Sequence, residues 1–421
     1  MAQLAIAGGT PVWNAGWPTW PIYGDRENEL LQQVLTSGKW AGDGPMEAQF
    51  QRGFADLHGA KHGLAVNSGT MALQLALEAL DIGVGDEVIV PVNTWQATAV
   101  AVLDVNAVPV LVDIEPETYA IDPAAVEAAI TPRTRAVIPV HLYCNLANLD
   151  RIVAIARQHQ LAVIEDCAHS HGSTWNGQGV GTLGDIGCFS LQASKTLNAG
   201  EGGFVITNDD QLHSRLYSLR NCGRMHKDAD PATWTPIQGG NARMTEWQAA
   251  VLCAQLERLP DQLVRRERSM QALNAGIEQL AGLAPLARRP EITRQAIYGY
   301  VFRYEPEAFN EVPVQAFRKA LAAELGTNVS GVYAPLNNSA LYQPHTKKRY
   351  HLSEEHLRAI DPKQYHTPFA TRAYEQESVV LNHPTLLAEP DVVQKVVDGC
   401  AKLYTHRDAL AAWADAEGTA L

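Results

Sequence analysis

The sequence lacks the features that mark several large classes of protein. No apolar run among its 421 residues approaches the roughly 18 that a membrane-spanning helix needs. Basic residues are in the minority, with 33 Lys and Arg against 46 Asp and Glu and a formal net charge of −13. That balance argues against a nucleic-acid surface and against a polybasic membrane anchor. The opening stretch, MAQLAIAGGTPVWNAGW, has neither the basic start nor the apolar core of a secretory signal. We therefore expect a cytoplasmic protein without nucleic-acid or membrane partners.

Cysteine is also scarce and carries no recognisable pattern. The six cysteines form no CxxC pair, and none has a zinc-like spacing with histidine. This distribution favours buried free thiols in a reducing compartment, and it predicts no metal site.

What the sequence does contain is a regular alternation of two kinds of segment. Short runs rich in Val, Ile and Leu alternate with helical segments such as SGTMALQLALEAL. The apolar runs are DEVIVP, VPVLVDI, RAVIPVHLY, LAVIEDC, DIGCFSLQ and GGFVITN. Strands of a parallel sheet that is covered on both faces have this composition. The pattern predicts an α/β fold with a mostly parallel sheet between helices.

The length and the changes of pattern predict three parts. One simple core rarely exceeds 250–300 residues, so we expect an N-terminal arm over 1–25, a large domain over 26–258 and a small α+β domain over 259–421. The arm is rich in Gly, Pro and Trp, and its three tryptophans need burial against the rest of the chain. We predict one helix in MTEWQAAVLCAQLERL and a second, charged helix in DQLVRRERSMQALNAGIEQLAG.

Two ionisable residues follow successive predicted strands. Asp166 ends LAVIED, and Lys195 follows DIGCFSLQ. Open α/β sheets bind ligands at the carboxyl ends of their strands. An aldehyde cofactor needs a lysine amine to form a Schiff base, and a pyridinium ring needs an anion at its nitrogen. The pair therefore indicates pyridoxal 5'-phosphate, although a carboxylate at a strand end is often only an exposed cap.

Other residues near predicted strand ends complete this hypothesis. Ser68, Gly69 and Thr70 precede a helix, whose N-terminus is suited to a phosphate. Ser190 offers a second hydroxyl for the phosphate. Three further interpretations stay open at this point: the helix start binds no anion, Trp95 is a core residue rather than a ring-stacking one, and His169 is a structural histidine.

The motifs together resemble the DegT/DnrJ/StrS family of pyridoxal-phosphate aminotransferases. The matching segments occur in family order between about residues 8 and 255, and they are NSGTMAL, PVNTWQATA, IEDCAHSHG, GDIGCFSLQASK, GEGG and RMTEWQAA. The resemblance implies fold type I, with a mostly parallel seven-stranded sheet and a smaller α+β C-terminal domain. It also implies a homodimer whose active site lies at the subunit interface.

The resemblance carries roles to individual residues. It implies that Lys195 forms the Schiff base and moves the proton, and that Asp166 pairs with the ring nitrogen. It implies that Trp95 stacks on the ring and that His169 lies near the ring oxygen. The phosphate is then expected at Ser68, Gly69, Thr70 and Ser190. Either Asn241 or Arg243 is expected to reach the phosphate of the neighbouring subunit.

The implied reaction is a ping-pong transamination from L-glutamate or L-glutamine, with pyridoxamine 5'-phosphate as the form between the two halves. The segments AIAGGTPV, HLYCNLANLD and LYQPHTKKRY are most similar to the scyllo-inosose aminotransferase subgroup. We expect Tyr333, His345 and Lys347 to contact the acceptor. The alternative for Lys347, Lys348 and Arg349 is a solvated run of charge.

Other functions stay possible from the sequence. The enzyme could be a broad-specificity transaminase, or it could resemble aminohydroxybenzoate synthase. A non-catalytic sensor that binds pyridoxal phosphate is a third possibility. A pyridoxamine-dependent sugar dehydratase is disfavoured, because in such relatives histidine replaces the lysine found here as Lys195.

Overall fold

The computed structural model describes residues 3–227, 229–232, 234–347 and 353–416. Nine strands lie in the first two thirds of the chain: β1 His62–Val66, β2 Glu87–Pro91, β3 Val108–Val112, β4 Thr134–Val137, β5 Ala162–Asp166, β6 Thr174–Trp175, β7 Gln178–Gly179, β8 Ile186–Ser190 and β9 Gly203–Thr207. Eight helices accompany them: α1 Asp25–Ser37, α2 Pro45–His58, α3 Gly69–Ala79, α4 Ala97–Asp104, α5 Pro123–Ala128, α6 Leu149–His159, α7 Asp210–Arg220 and α8 Glu246–Ile277.

Seven of these strands form the predicted mostly parallel sheet. Their order is β1-β9-β8-β5-β4-β2-β3. Neighbouring strands from β8 through to β3 run parallel, and only β9 is antiparallel to its neighbours β8 and β1. Strand β2 is buried at all five positions, as a strand with helices on both faces must be. The predicted fold class is therefore confirmed.

The remainder of the chain forms an antiparallel layer with its own helices. Its strands are β10 Leu283–Pro285, β11 Ile292–Arg294, β12 Gly299–Tyr304, β13 Val329–Ser330 and β14 Ser378–Asn382. Its helices are α9 Val314–Leu325, α10 Glu354–Ala359, α11 Pro368–Arg372, α12 Pro390–Thr405 and α13 Arg407–Ala416. Four of the strands form a sheet in the order β10-β12-β14-β13, while β11 joins β6 and β7 in a small sheet beside the large one.

Short helical turns complete the described chain. The 3-10 helices are Ala5–Ala7, Pro306–Phe309, Pro344–Thr346, Pro362–Gln364 and His383–Leu387, and a π-helical turn covers Ala373–Glu377. No helix of the described ranges has both the length and the apolar character needed to cross a membrane. All six cysteines are free thiols; five are buried as predicted, and Cys222 is exposed.

Helix α8 differs from the sequence-based prediction. Instead of two helices the structure has one helix of 32 residues, Glu246–Ile277, with Pro260 inside it. An interior proline removes a backbone hydrogen bond and usually bends or ends a helix. Here α8 packs against α1, α2 and α12, and this tertiary packing favours continuity. The predicted domain boundary at 258/259 falls within this helix, and the division into domains stays a prediction.

The N-terminal arm packs on the body of the protein through its tryptophans. The indole nitrogen of Trp17 donates to the carbonyl of Leu325 at 2.7 Å. Trp20 donates to the carbonyl of Ala193 at 3.2 Å, and its ring meets that of His383 edge-on at 4.6 Å. The arm therefore reaches the loop that precedes Lys195.

Candidate active site

The strand ends of the large sheet and the start of α3 surround one cavity of about 440 Å³. Most of the predicted site residues line it, although they come from five separate stretches of sequence. Those residues are Ser68, Gly69, Thr70, Trp95, Asp166, His169, Ser190, Lys195 and Tyr333. The structure thus brings together at one edge of the sheet what the strand-end argument predicted.

Lys195 contributes a buried amine to this cavity. It follows β8 in a tight loop, where its backbone N–H donates to the carbonyl of Gln192 at 2.8 Å. The residue is only 8% exposed. Burial lowers the pKa of its amine from 10.5 to about 8, and the nearby Asp166 carboxylate partly opposes that shift. An appreciable fraction of the amine is consequently unprotonated near neutral pH.

Asp166 is the last residue of β5, and its carboxylate is held in place by donors. Thr98 donates its hydroxyl to Oδ2 at 2.9 Å, and the backbone N–H of Ala168 donates to Oδ1 at 3.1 Å. Burial raises the pKa of the Asp166 carboxyl, while these two hydrogen bonds and the charge of Lys195 act to lower it. The interpretation as an exposed cap is wrong, because the residue is 5% exposed.

The start of α3 is tightly packed and has the features that suit an anion. Ser68 is the N-cap, and its Oγ accepts from the N–H of Met71 at 3.2 Å. A Cβ at Gly69 would lie 2.8 Å from the Cβ of Ser190, and one at Gly203 would lie 2.2 Å from the carbonyl oxygen of Ser68. Only glycine fits at these two positions. The free N–H groups and the dipole of a helix N-terminus favour an anion there.

An indole and an imidazole border the same cavity. Trp95 is 46% exposed, so the interpretation as a core residue is wrong; its ring lies 5.5 Å from that of Tyr333. His169 is buried, and its Nδ1 accepts from the N–H of Tyr143 at 3.1 Å. Burial lowers the pKa of His169 well below its usual value. The ring is therefore neutral, with its proton on Nε2, and it is a hydrogen-bond donor at that atom.

Two predicted phosphate contacts do not line the cavity of their own chain. Asn241 is exposed and forms an isolated bridge with Asn221. Arg243 donates from a guanidinium nitrogen to the Oδ1 of Asn221 at 2.7 Å, and its backbone bridges to Val66.

The predicted acceptor contacts are only partly together. Tyr333 lines the main cavity. Lys347 lines a neighbouring cavity of about 310 Å³ that shares the Trp95 wall, and its amine lies 3.5 Å from Asp104. His345 is exposed and lines neither cavity. Lys348 and Arg349, the rest of the predicted basic run, lie outside the described residues.

Several residues of the cavity wall were not identified from the sequence, namely Thr98, Gln192, Ser194, Glu201 and Tyr298. Thr98 lies within the motif PVNTWQATA, where a hydroxyl one helical turn after Trp95 could have drawn attention. Tyr298 comes from the C-terminal layer, and no local pattern links it to Lys195.

A second buried network supports the strand that carries Asp166. The neighbouring carboxylate of Glu165 accepts from the backbone N–H groups of Gly181, Leu183 and Gly184 at 2.7–2.9 Å, and from His141 at 3.1 Å. Burial by itself raises the pKa of Glu165, but these hydrogen bonds prevail and the pKa is lowered. These contacts fix the end of β5, next to Asp166.

The site fits pyridoxal 5'-phosphate on chemical grounds. The cavity volume lies within the range of small-molecule sites. The cavity offers a buried amine, a buried carboxylate and the N-terminus of a helix. At that N-terminus any side chain at Gly69 would collide with Ser190 at the end of β8. A cofactor with an aldehyde, a ring nitrogen and a phosphate needs these three groups. The fold and the site thus define the class of fold type I pyridoxal-phosphate enzymes.

Comparison with known proteins narrows the class. The model of the DegT/DnrJ/EryC1/StrS aminotransferase family matches residues 21–360. The L-glutamine:2-deoxy-scyllo-inosose aminotransferase of Streptoalloteichus tenebrarius is 42% identical over 423 residues, which cover 97% of this chain and 99% of that protein. The L-glutamine:scyllo-inosose aminotransferase of Streptomyces griseus is 41% identical over 418 residues, covering 96% and 98%.

Solved structures agree with this assignment. The crystal structure of 3-amino-5-hydroxybenzoic acid synthase is 32% identical, with a TM-score of 0.79 and coverage of 94% of this chain and 99% of the other. The structure of DesI in the presence of its TDP-sugar product is 28% identical, with a TM-score of 0.80 and 98% coverage of both chains. The chain belongs to the DegT/DnrJ/EryC1/StrS aminotransferase family. It is a pyridoxal-phosphate-dependent aminotransferase.

Proposed function

We propose that this aminotransferase moves the amino group of L-glutamine or L-glutamate to a ketone carbon of a cyclitol, an inosose-like polyol ring. The substrate named for relatives that are 41–42% identical along nearly the whole chain supports this choice. The observation that carries the catalytic part is the buried Lys195 amine, with a pKa of about 8, in one cavity with Asp166.

The cofactor supplies an electron-withdrawing ring that weakens the α-C–H bond of the amino donor and carries the amino group between the half-reactions. Lys195 would hold the cofactor covalently through Nζ. After release, the same Nζ would act as the base for the α-proton of the donor in the first half-reaction and as the acid that protonates the acceptor carbon in the second. The lowered pKa of Lys195 suits it to both directions of transfer.

The other residues of the cavity would bind and orient. Asp166, fixed by Thr98 and by the N–H of Ala168, would keep the ring nitrogen protonated. Trp95 would cover one face of the ring. His169 would donate from Nε2 to the ring oxygen.

The phosphate would lie at the start of α3, held by Ser68, Gly69, Thr70 and Ser190. The backbone N–H groups there have no helical partner of their own, and they are the natural donors to a phosphate. The close packing around Gly69 supports this role because it keeps the cradle open.

On the acceptor side we propose Tyr333 and Lys347. Tyr333 lines the main cavity, and Lys347 lines the cavity beyond Trp95. His345 stays a prediction from sequence, without a contact to either cavity in this chain.

We further propose a cytoplasmic homodimer. Membership of the family supports a role for either Asn241 or Arg243 in the phosphate site of a neighbouring subunit, and neither residue lines the cavity of its own chain. Light scattering at micromolar protein tests the dimer, and a monomer would contradict it.

The first experiment follows the visible absorbance of the purified, cofactor-loaded protein during addition of L-glutamine and then L-glutamate. We expect at least one donor to bleach the band, and addition of an inosose to restore it. Lys195→Ala should abolish both changes, whereas Lys319→Ala, at an exposed helix position, should preserve them.

Each contrary outcome changes a different part of the proposal. A band that no amino donor bleaches would favour a non-catalytic sensor. Bleaching that is reversed by many unrelated ketones would favour a broad-specificity transaminase. Restoration by an aromatic-precursor ketone alone would favour chemistry like that of the aminohydroxybenzoate synthase.

A further inference from the structure

Tyr298 reaches the active-site cavity from the C-terminal layer. It precedes β12, and its backbone is fixed at both ends. Its N–H donates to the carbonyl of Tyr143 at 2.9 Å, and its own carbonyl accepts from the N–H of His383 at 3.2 Å. The side chain of Tyr298 forms part of the cavity wall. Its position is therefore set by backbone contacts that do not depend on its ring.

The Tyr298 side chain contacts several residues of the site, among them Lys195, His169 and Ser194. The Nζ of Lys195 lies over its ring, 4.5 Å from the centroid. The imidazole of His169 stacks on it, with ring centres 3.7 Å apart and planes 21° apart. Its hydroxyl lies 3.0 Å from the Oγ of Ser194.

The direction of the hydroxyl contact follows from the neighbouring bonds. The Oγ of Ser194 lies 2.7 Å from the Oε1 of Gln192, which accepts the single proton of that hydroxyl. Tyr298 must therefore donate to Ser194, the residue just before Lys195. The tyrosine thus holds the lysine loop through its hydroxyl and the lysine amine through its ring.

The ring face has a specific electrostatic effect on the Lys195 amine. The face of an aromatic ring is negative and attracts an ammonium group, and the attraction is stronger where water is excluded. Among the residues that the structure describes, Asp166 is the one charged group that appreciably stabilises the protonated amine. Three histidines also face it, namely His169, His171 and His383. All three are neutral, because burial above all lowers their pKa values, to about 3 for His171.

We propose that Tyr298 is a positioning residue for the transamination, and that its ring holds the Lys195 amine and the His169 imidazole while its hydroxyl holds Ser194. The proposal rests on the proposed role of Lys195. During each half-reaction Lys195 is free of the cofactor and carries a proton on Nζ. The face of the Tyr298 ring holds that ammonium group after it accepts the proton and until it returns the proton.

The test varies the charge of the ring face while its shape stays nearly constant. Tyr298→Phe is compared with variants that carry mono-, di- and trifluorinated phenylalanine at the same position. Fluorine withdraws electron density from the ring face, so the attraction for an ammonium falls along the series. The apoprotein is titrated, and the pH dependence of Lys195 labelling by an amine reagent is measured by peptide mass spectrometry.

We expect the apparent pKa of Lys195 to fall stepwise, by about one unit across the series. A merely structural role would leave this titration unmoved, so a flat series in folded proteins would overturn the proposal. Near-UV circular dichroism verifies the fold of each variant, and the matched shapes make a selective loss of folding by one member unexpected.

The hydroxyl is tested separately, by a double-mutant cycle between Tyr298→Phe and Ser194→Ala. If the hydroxyl acts through Ser194, the double change should lower kcat by less than the product of the two single effects. Fully multiplicative effects would refute that link.

Failure of this proposal is distinguishable from failure of the proposed function. Wild-type protein that neither binds the cofactor nor transaminates would end both. If the wild-type protein transaminates but the pKa of Lys195 is the same in all fluorinated variants, only the proposed role of Tyr298 is refuted.

Discussion

Replacement of Lys195 by methionine is expected to stabilise the apoprotein near neutral pH. The amine is 8% exposed and its pKa is lowered from 10.5 to about 8 by burial. Methionine has a similar length and fills the same space without a charge. A buried functional charge is a common case in which activity costs stability.

The magnitude follows from the pKa shift. A shift of about 2.5 units, at about 1.4 kcal/mol per unit, corresponds to about 3 kcal/mol. Well below pH 8 the amine is mostly protonated in both the folded and the unfolded chain, so nearly the whole penalty is present. Between about pH 8 and 10.5 the unfolded chain binds more protons than the folded one, so the free energy of unfolding rises with pH. Above that window the penalty is gone.

Urea unfolding of the apoprotein and of Lys195→Met measures this directly, at pH 7, 8, 9 and 10 and at one protein concentration. We expect the variant to be more stable by about 3 kcal/mol at pH 7, and the difference to shrink as the pH rises. Other groups that titrate in this range cancel in the comparison. Lys319→Met, at an exposed helix position, should run parallel to the wild type.

A difference between wild type and Lys195→Met that is constant from pH 7 to 10 would refute the reasoning. It would mean that the Lys195 amine keeps its ordinary pKa in the folded protein. A difference that grows with pH would mean that the cavity favours the ammonium form.

Three further predictions concern the cradle and the carboxylates. Gly69→Ala should weaken cofactor binding about fivefold or more by spectroscopic titration, because its Cβ would lie 2.8 Å from the nearest side chain and such overpacking costs about 1–3 kcal/mol. The control Gly83→Ala, whose nearest neighbour is 3.5 Å away, should bind the cofactor normally. Thr98→Val removes the 2.9 Å hydrogen bond to Asp166 and should lower kcat about tenfold in steady-state assays, since a bond to a charged group is worth about 1.5–3 kcal/mol; an unchanged kcat would show that the hydroxyl does not orient the carboxylate. Glu165 has a lowered pKa, so its contribution to stability is present above the ordinary carboxyl range and is lost as the pH falls through its folded pKa. In urea unfolding at pH 7, Glu165→Gln should lower the free energy of unfolding by about 3–5 kcal/mol. The variant should also lose the decrease in stability that Glu165 causes as the pH falls.

The regular part of the fold was accessible from the sequence because buried parallel strands leave a continuous apolar signal. Six strands of the large sheet were identified in this way. The seventh, β1 His62–Val66, lies at the edge of the sheet and is fully buried only over its last three residues. Its pattern was too weak to separate it from a loop. The continuity of α8 through Pro260 was missed because tertiary packing outweighs the local preference of proline.

The residues of the candidate site also fall into two groups, those that the sequence identifies and those that only the packing brings together. Lys195, Asp166, Trp95 and the start of α3 follow strands or open a helix, so the topology of a parallel sheet by itself brings them to one edge. Tyr298 carries no such signal. It approaches from the antiparallel layer, and only the packing of that layer against the large sheet places its ring beside the lysine.

The sequence by itself determined the α/β class, the amine and the carboxylate at successive strand ends, and the glycine at the start of a helix. These depend on periodicity and residue type, which are local properties. The tertiary structure alone decided the lowered pKa of Lys195, the neutral state of His169 and the contact of Tyr298 with both. The physical reason is that burial and ring contacts arise from atoms far apart in the chain, and no local pattern records them.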